Sequence, residues 1–244
     1  MAGLGLRRDS TWPLRGVSFD LAAGEALGVV GESGAGKSTL LHLVLGLLEP
    51  TEGAIRLDGR AWSGIPEPLR RPRRPRIQAV FQDPHASLPP HRTGWEILAE
   101  PLWIHGRGTP EGRRLAAARL AARVKFPERA LAQRPAAWSG GLAQRLCLAR
   151  ALALDPAVLV LDEPFSALDP TLAEHLAARL LELKAEGMAL LLATHDLGWV
   201  ERLCDRVLVL ADGRPLVQEP SRWIRSPQAH PWFQRCLEAS LGLD

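Results

Sequence analysis

Two stretches of the chain alternate short apolar runs with helical ones, and an Ala/Arg-rich stretch of different texture separates them. Between Trp12 and Gly59 the runs "GVSFDL", "EALGVV" and "GAIRLDG" are bounded by Gly and Pro and predict strands, placed around one helical run from Lys37 to Leu48. From Thr93 to Ala132 the pattern turns helical, and Pro101, Pro110 and Pro127 are expected to break it into short pieces. After Leu154 the alternation returns. The run "AVLVL" has the length of a buried strand, and "MALLLA" is another. Between them a helix opens at Asp169 and Pro170 and carries Leu172, Leu176, Leu180 and Leu183 on one face. Strand and helix in alternation predict a parallel α/β architecture with a small helical insert.

Composition adds bounds. A chain of 244 residues with 46% hydrophobic and 23% charged positions can bury a core as one large domain or two lobes. No apolar run approaches the roughly 20 residues of a spanning helix, so the chain is not expected to cross a membrane. Cys147, Cys204 and Cys236 are far apart and outside any C-x-x-C pattern, which points away from disulfides and metal clusters and fits a reducing cytoplasm. The formal charge is +3 and almost wholly arginine, since Lys37, Lys125 and Lys184 are the only lysines. The run "LRRPRRPR" (69–76) reads as a solvated loop, and no nucleic acid is expected as partner.

The chemistry concentrates at "GESGAGKST", Gly31 to Thr39, where a predicted strand meets a predicted helix. This is the phosphate-loop pattern G-x-x-x-x-G-K-[ST] in its required context. Gly31, Gly34 and Gly36 let the backbone curl so that N–H groups along Glu32, Ser33 and Ala35 face a polyphosphate. Lys37 reaches the outer oxygens, and Ser38 can ligate Mg²⁺. A second carboxyl-bearing strand end, "VLVLDEP", supplies Asp162 and Glu163; of two adjacent carboxylates one can hold the metal shell while the other polarises water. At "WSGGLAQR" Ser139 reads as a helix cap, followed by Gly140 and Gly141 with no charged residue before Arg145, so that helix start can receive an anion.

Six segments in order, Gly31–Thr39, "VFQDP" around Gln82, "WSGGLAQR", "VLVLDEP", "SALD" (166–169) and "ATHD" around His195, resemble the Walker A, Q-loop, signature, Walker B, D-loop and switch-histidine segments of ATP-binding cassette ATPases. The resemblance implies a P-loop NTPase core, a mostly parallel sheet flanked by helices, with an antiparallel β subdomain and the helical insert. It implies one domain over 1–244, with 1–82 and 154–244 as core and β subdomain and 83–153 as insert. It implies ATP and Mg²⁺ as cofactors, the metal held by Ser38, Gln82 and Asp162, and Glu163, His195 and Gln82 as catalytic residues. Ser139, Gly140 and Gly141 would close over the nucleotide of a second ATPase, and Asp169 would couple the two sites. Trp12 is the aromatic expected to stack on adenine, or else to pack against its strand. Leu142 stands where glutamine is usual and Trp138 where leucine is usual; the loss of the glutamine's hydrogen bonds at Leu142 is expected to weaken the site this segment completes.

The stretches "RIQAVFQDPHASLPPHRT" and "SPQAHPWFQRCL" resemble the ATPases of bacterial peptide and nickel importers, with "QRLCLARAL" leaning to the nickel or metallophore branch. The implied partners are two permeases, a second, non-identical ATPase and, indirectly, a solute-binding protein. The implied location is the cytoplasmic face of the membrane, and without a cysteine cluster after the tail no iron–sulfur centre is expected. The alternatives are a nontransport ATPase of the same subgroup, of the phosphonate-breakdown type, and a nucleic-acid-handling ATPase.

Overall fold

The computed structural model describes residues 1–166 and 168–240. In chain order its strands are β1 (Ala2–Arg8), β2 (Thr11–Val17), β3 (Ala26–Val30), β4 (Glu52–Ala54), β5 (Arg56–Leu57), β6 (Arg60–Ala61), β7 (Ile77–Val80), β8 (Val158–Asp162), β9 (Ala189–Ala193), β10 (Arg206–Ala211) and β11 (Arg214–Pro220). The α-helices are α1 (Lys37–Val44), α2 (Glu67–Arg70), α3 (Gly94–Ile104), α4 (Pro110–Arg123), α5 (Gly140–Leu152), α6 (Pro170–Ala185), α7 (Leu197–Leu203) and α8 (Pro231–Ser240). They fall into two compact units, one of Met1–Glu67 with the segment from Ala189 onward, the other Pro68–Met188.

In the first unit β3 is buried at every position and pairs in parallel with β9 on one side and β10 on the other. β11 returns antiparallel on β10 through Asp212 and Gly213, both at positive φ as a tight hairpin turn requires. A separate antiparallel sheet runs β2-β1-β4. The parallel sheet is pinned at one end by Arg206, which donates from Nε to Glu25 Oε1 at 2.5 Å and from Nη2 to the Asp20 carbonyl at 2.6 Å. α1 ends after two turns, earlier than the Lys37–Leu48 expectation, with Gly46 at positive φ. The fully buried Trp62 donates its indole N–H to the free-ending Val44 carbonyl at 2.8 Å, satisfying a helix-end acceptor.

In the second unit β7 and β8 pair in parallel. Thr93 starts α3 with a capping box, its hydroxyl accepting from the Glu96 N–H while Glu96 Oε2 accepts from the Thr93 N–H. Pro101 does not break this helix. It lies inside α3, and the burial of Ile97, Leu98 and Leu102 outweighs the one backbone hydrogen bond a proline forfeits. Pro110 instead occupies the first turn of α4, where its missing N–H has no intrahelical partner to lose. α6 buries Ala173, Leu176, Ala177, Leu180 and Leu183, the apolar face read from the sequence, with Leu172 half-buried at its start. Parallel strands bearing helices, plus an antiparallel strand set, give the α/β architecture with an antiparallel β subdomain that the sequence led one to expect.

Candidate functional site

In the first unit the loop after β3 is built by its glycines. Gly31, Gly34 and Gly36 have φ of 155°, 82° and 98°. A Cβ on Gly31 would lie 2.3 Å from the Leu210 carbonyl oxygen on β10, and one on Gly36 2.7 Å from the Pro13 carbonyl oxygen on β2. Backbone on both sides therefore forbids side chains there, and only Gly34 faces open space. Glu32, Ser33, Gly34 and Ser38 are exposed, Lys37 and Thr39 half-buried, and Gly31, Ala35 and Gly36 buried. Gly36 is the N-cap of α1, with no side-chain cap bond and no acid in the first turn, so the leading N–H groups and the positive end of the dipole are left for an anion. Lys37 curls back over the loop, Nζ donating to the Gly31 carbonyl at 2.6 Å and the Glu32 carbonyl at 3.0 Å.

This construction makes Gly36→Ala a test of the loop. The left-handed backbone and the Pro13 carbonyl cannot both be kept, so a loss of about 1–3 kcal/mol of stability is expected, read as a lower urea midpoint at unchanged slope. Equal midpoints would mean that the loop relaxes freely.

Two further candidates lie in the same unit. His195 is exposed on the turn between β9 and α7, at the carboxyl end of the strand that pairs with β3, Ala193 opposite Val29. The turn is fixed around it: the buried Thr194 donates its N–H to the Val29 carbonyl at 3.1 Å and accepts on Oγ1 from the Asp196 N–H, while Asp196 Oδ1 caps α7. Trp12 is half-buried on β2, the strand whose Pro13 carbonyl abuts Gly36. Its ring lies against Gly5 of β1, and the Arg15 guanidinium stands 4.6 Å from the ring centroid. The ring thus packs on its neighbouring strand and carries a cation as well.

In the second unit Gln82 and Asp162 occupy the same ends of neighbouring parallel strands, since Val80 of β7 pairs with Leu161 of β8. Gln82 is exposed, and Asp162 and Glu163 are half-buried. Glu163 has φ of 45°, a conformation uncommon outside glycine, and its carbonyl accepts from the Ser166 N–H and hydroxyl. Strained backbone of this kind persists where the surroundings over-determine it. Asp169 caps α6, Oδ1 accepting from the Leu172 N–H at 2.9 Å. Ala167, inside the "SALD" segment, lies outside the described residues.

The Ser139 cap forms as read, Oγ accepting from the Leu142 N–H at 3.4 Å, and no acid occupies the first turn of α5. Gly141 is needed for packing: a Cβ there would sit 2.2 Å from Leu172 Cδ1 on α6. Trp138 is a core residue, edge-on to Phe126 at 5.5 Å and donating its indole N–H to the Ala130 carbonyl. Leu142 remains half-exposed.

α5 also carries residues that sequence reasoning did not single out. Buried Gln144 donates from Nε2 to the Pro164 carbonyl at 3.2 Å, directly after Glu163. Arg150 donates to the Ser87 carbonyl at 2.8 Å, and the Cys147 thiol, pushed up to about 11 by burial, contacts the Pro84 carbonyl at 3.6 Å. One helix thus holds both the loop after Gln82 and the turn after Glu163. The only signal was a glutamine among the apolar positions of a buried helix.

The family described as ABC transporter matches residues 14–166. A protein of Brucella ovis with the provisional name peptide import ATP-binding protein is 41% identical over 227 residues, 93% of this chain and 72% of that one. The glutathione import ATP-binding protein GsiA of Salmonella paratyphi A is 40% identical over 91% of this chain and 36% of its own length. Among solved structures, the dimeric post-hydrolysis state of the ATP-binding cassette MJ0796 bound to ADP and Pi is similar with a TM-score of 0.82 at 30% identity, over 91% of this chain and 97% of that one. CbiO1 of Clostridium perfringens, part of the complex cbiONQ, is similar with a TM-score of 0.82 at 25% identity over 99% and 93%.

Proposed function

Because the chain belongs to the ABC transporter family of ATPases, we propose that it is the energy-coupling ATPase of a bacterial importer of peptides, nickel or a metal–chelator complex. Peptides are the cargo its relatives' names favour, glutathione included. The observation that carries the reading is the loop from Gly31 to Thr39, whose backbone excludes side chains and whose helix start is left uncapped. We assign ATP to Trp12, Gly31, Glu32, Ser33, Gly34, Ala35, Gly36, Lys37, Ser38 and Thr39, with 83–153 as an insert in a single domain.

Hydroxyl, amide and carboxylate oxygens from Ser38, Gln82 and Asp162 are the hard donors Mg²⁺ prefers, so these residues would hold the ion, which supplies charge neutralisation on the phosphates. Glu163 takes the proton of the attacking water, and His195 and Gln82 orient at the γ-phosphate. Ser139, Gly140 and Gly141 present the α5 N-terminus to the nucleotide of a second ATPase, and Asp169 couples the two. Leu142 can neither donate nor accept a side-chain hydrogen bond, a loss of about 0.5–1.5 kcal/mol against glutamine. The site completed by this chain is then the weaker of two, which favours a non-identical partner. Two permeases complete the assembly, with this chain on the cytoplasmic face of the membrane; among its described residues no helix is long and apolar enough to cross it.

The test is proteoliposomes holding the chain with its permeases and partner ATPase. Severalfold stimulation of ATP hydrolysis by a peptide-loaded binding protein is the expected result. Hydrolysis indifferent to the binding protein would sink the transport reading.

A further inference from the structure

Arg179 of α6 is a half-buried cation whose guanidinium is only partly used. Its Nη1 donates to Glu182 Oε2 at 2.5 Å and reaches Glu186 Oε1 at 3.4 Å. Its side chain is 15% exposed, and its Nε and Nη2 are buried without an acceptor. Those two nitrogens form one complete edge of the guanidinium, the edge that takes a carboxylate through two parallel hydrogen bonds. Charged donors seldom stay buried and unsatisfied without a reason.

The same residue lines a groove within the Pro68–Met188 unit, between the end of α4, α5 and α6. Val124, Leu148, Leu172 and Leu176 supply apolar walls. Arg123, Lys125, Arg145 and Arg179 supply four positive charges against Glu182 within the lining, with Glu186 beside them as the ion-pair partner of Arg123 and Arg179. The excess is cationic and the walls are apolar.

We propose that this groove binds a small amphipathic anion, a carboxylate with an apolar tail, its head on the Nε–Nη2 edge of Arg179 and its tail along Leu148, Leu172 and Leu176. Neutral apolar molecules lack the partner for the guanidinium, and small inorganic anions leave the apolar walls wet. Both nitrogens lie below the exposed surface, so the wall side chains must part for the head to reach them, and binding should be saturable rather than an adsorption to surface charge.

The probe is octanoate, titrated calorimetrically into the full chain without nucleotide, so that the result is independent of the ATPase reading. One site per chain is expected, with 1-octanol and acetate each at least tenfold weaker. Arg179→Lys keeps the charge and loses the two-pronged edge, and a tenfold or greater loss of octanoate affinity is expected. Ala178→Glu, at an exposed lining position of α6, places a carboxylate at the groove without removing buried structure. It should weaken octanoate by a similar factor with unchanged thermal unfolding, and it decides the matter if Arg179→Lys does not fold. Octanoate binding no tighter than octanol or acetate, or equal in parent and Ala178→Glu, would overturn the site.

Discussion

Glu163→Gln is expected to leave ATP affinity within about twofold of the parent while lowering turnover by about 10²–10⁴-fold, the range for removing a general base. The substitution keeps size and shape. The bonds from Ser166 to the residue-163 carbonyl, which fix the φ of 45°, involve backbone and survive it. What disappears is the carboxylate assigned to take a proton from the attacking water. Asp162→Asn is the informative contrast, because a residue that supports the metal should weaken Mg²⁺ dependence as well as turnover. The measurement is equilibrium nucleotide binding beside steady-state hydrolysis in the assembled transporter. Near-normal turnover for Glu163→Gln would remove that residue from the base role and leave the αL backbone there as a matter of folding alone.

The loop and the α5 cap were legible because both are local. Gly31 and Gly36 are required by backbone atoms close in space, yet the glycine spacing alone announces the curl, and Ser139 followed by two glycines announces a helix start. β1 was not legible. Ala2–Arg8 contains two glycines and no β-branched residue, so only its pairing with β2 and β4 makes it a strand. β2 is shifted for a related reason: the expected strand 16–21 is observed at Thr11–Val17, because pairing with β1 recruits Thr11 to Leu14, and Gly16 sits at positive φ. Pro101 misled because the local rule against proline in helices was outweighed by burial along α3. Gln144 and Arg150 escaped notice because their partners, Pro164 and Ser87, are 20 and 63 residues away along the chain. Long-range bonds from a helix to two loops leave almost no trace in local pattern.

Lys37→Ala should act on the opposite quantity, weakening ATP binding by about 10²-fold or more, with hydrolysis at saturating ATP less affected than affinity. Nζ spends its donors on the carbonyls of Gly31 and Glu32, so it is held over the loop that leads into the uncapped start of α1. Bonds to a charged group contribute about 1.5–3 kcal/mol each. A polyphosphate offers anionic oxygens in place of neutral carbonyls, so the exchange favours the nucleotide, and each 1.4 kcal/mol forfeited is about tenfold in affinity. The loop itself should survive the substitution, because its shape rests on Gly31, Gly36 and the surrounding strands rather than on the ammonium, and the stability read from urea unfolding should change by less than about 1 kcal/mol. Lys37→Arg separates charge from reach. Its planar fork cannot curl onto both carbonyls as a point charge does, so it should recover only part of the affinity. Unchanged ATP affinity in Lys37→Ala would place the phosphates somewhere other than the Gly31–Thr39 loop, and the roles given to Ser38 and the α1 N-terminus would fall with it.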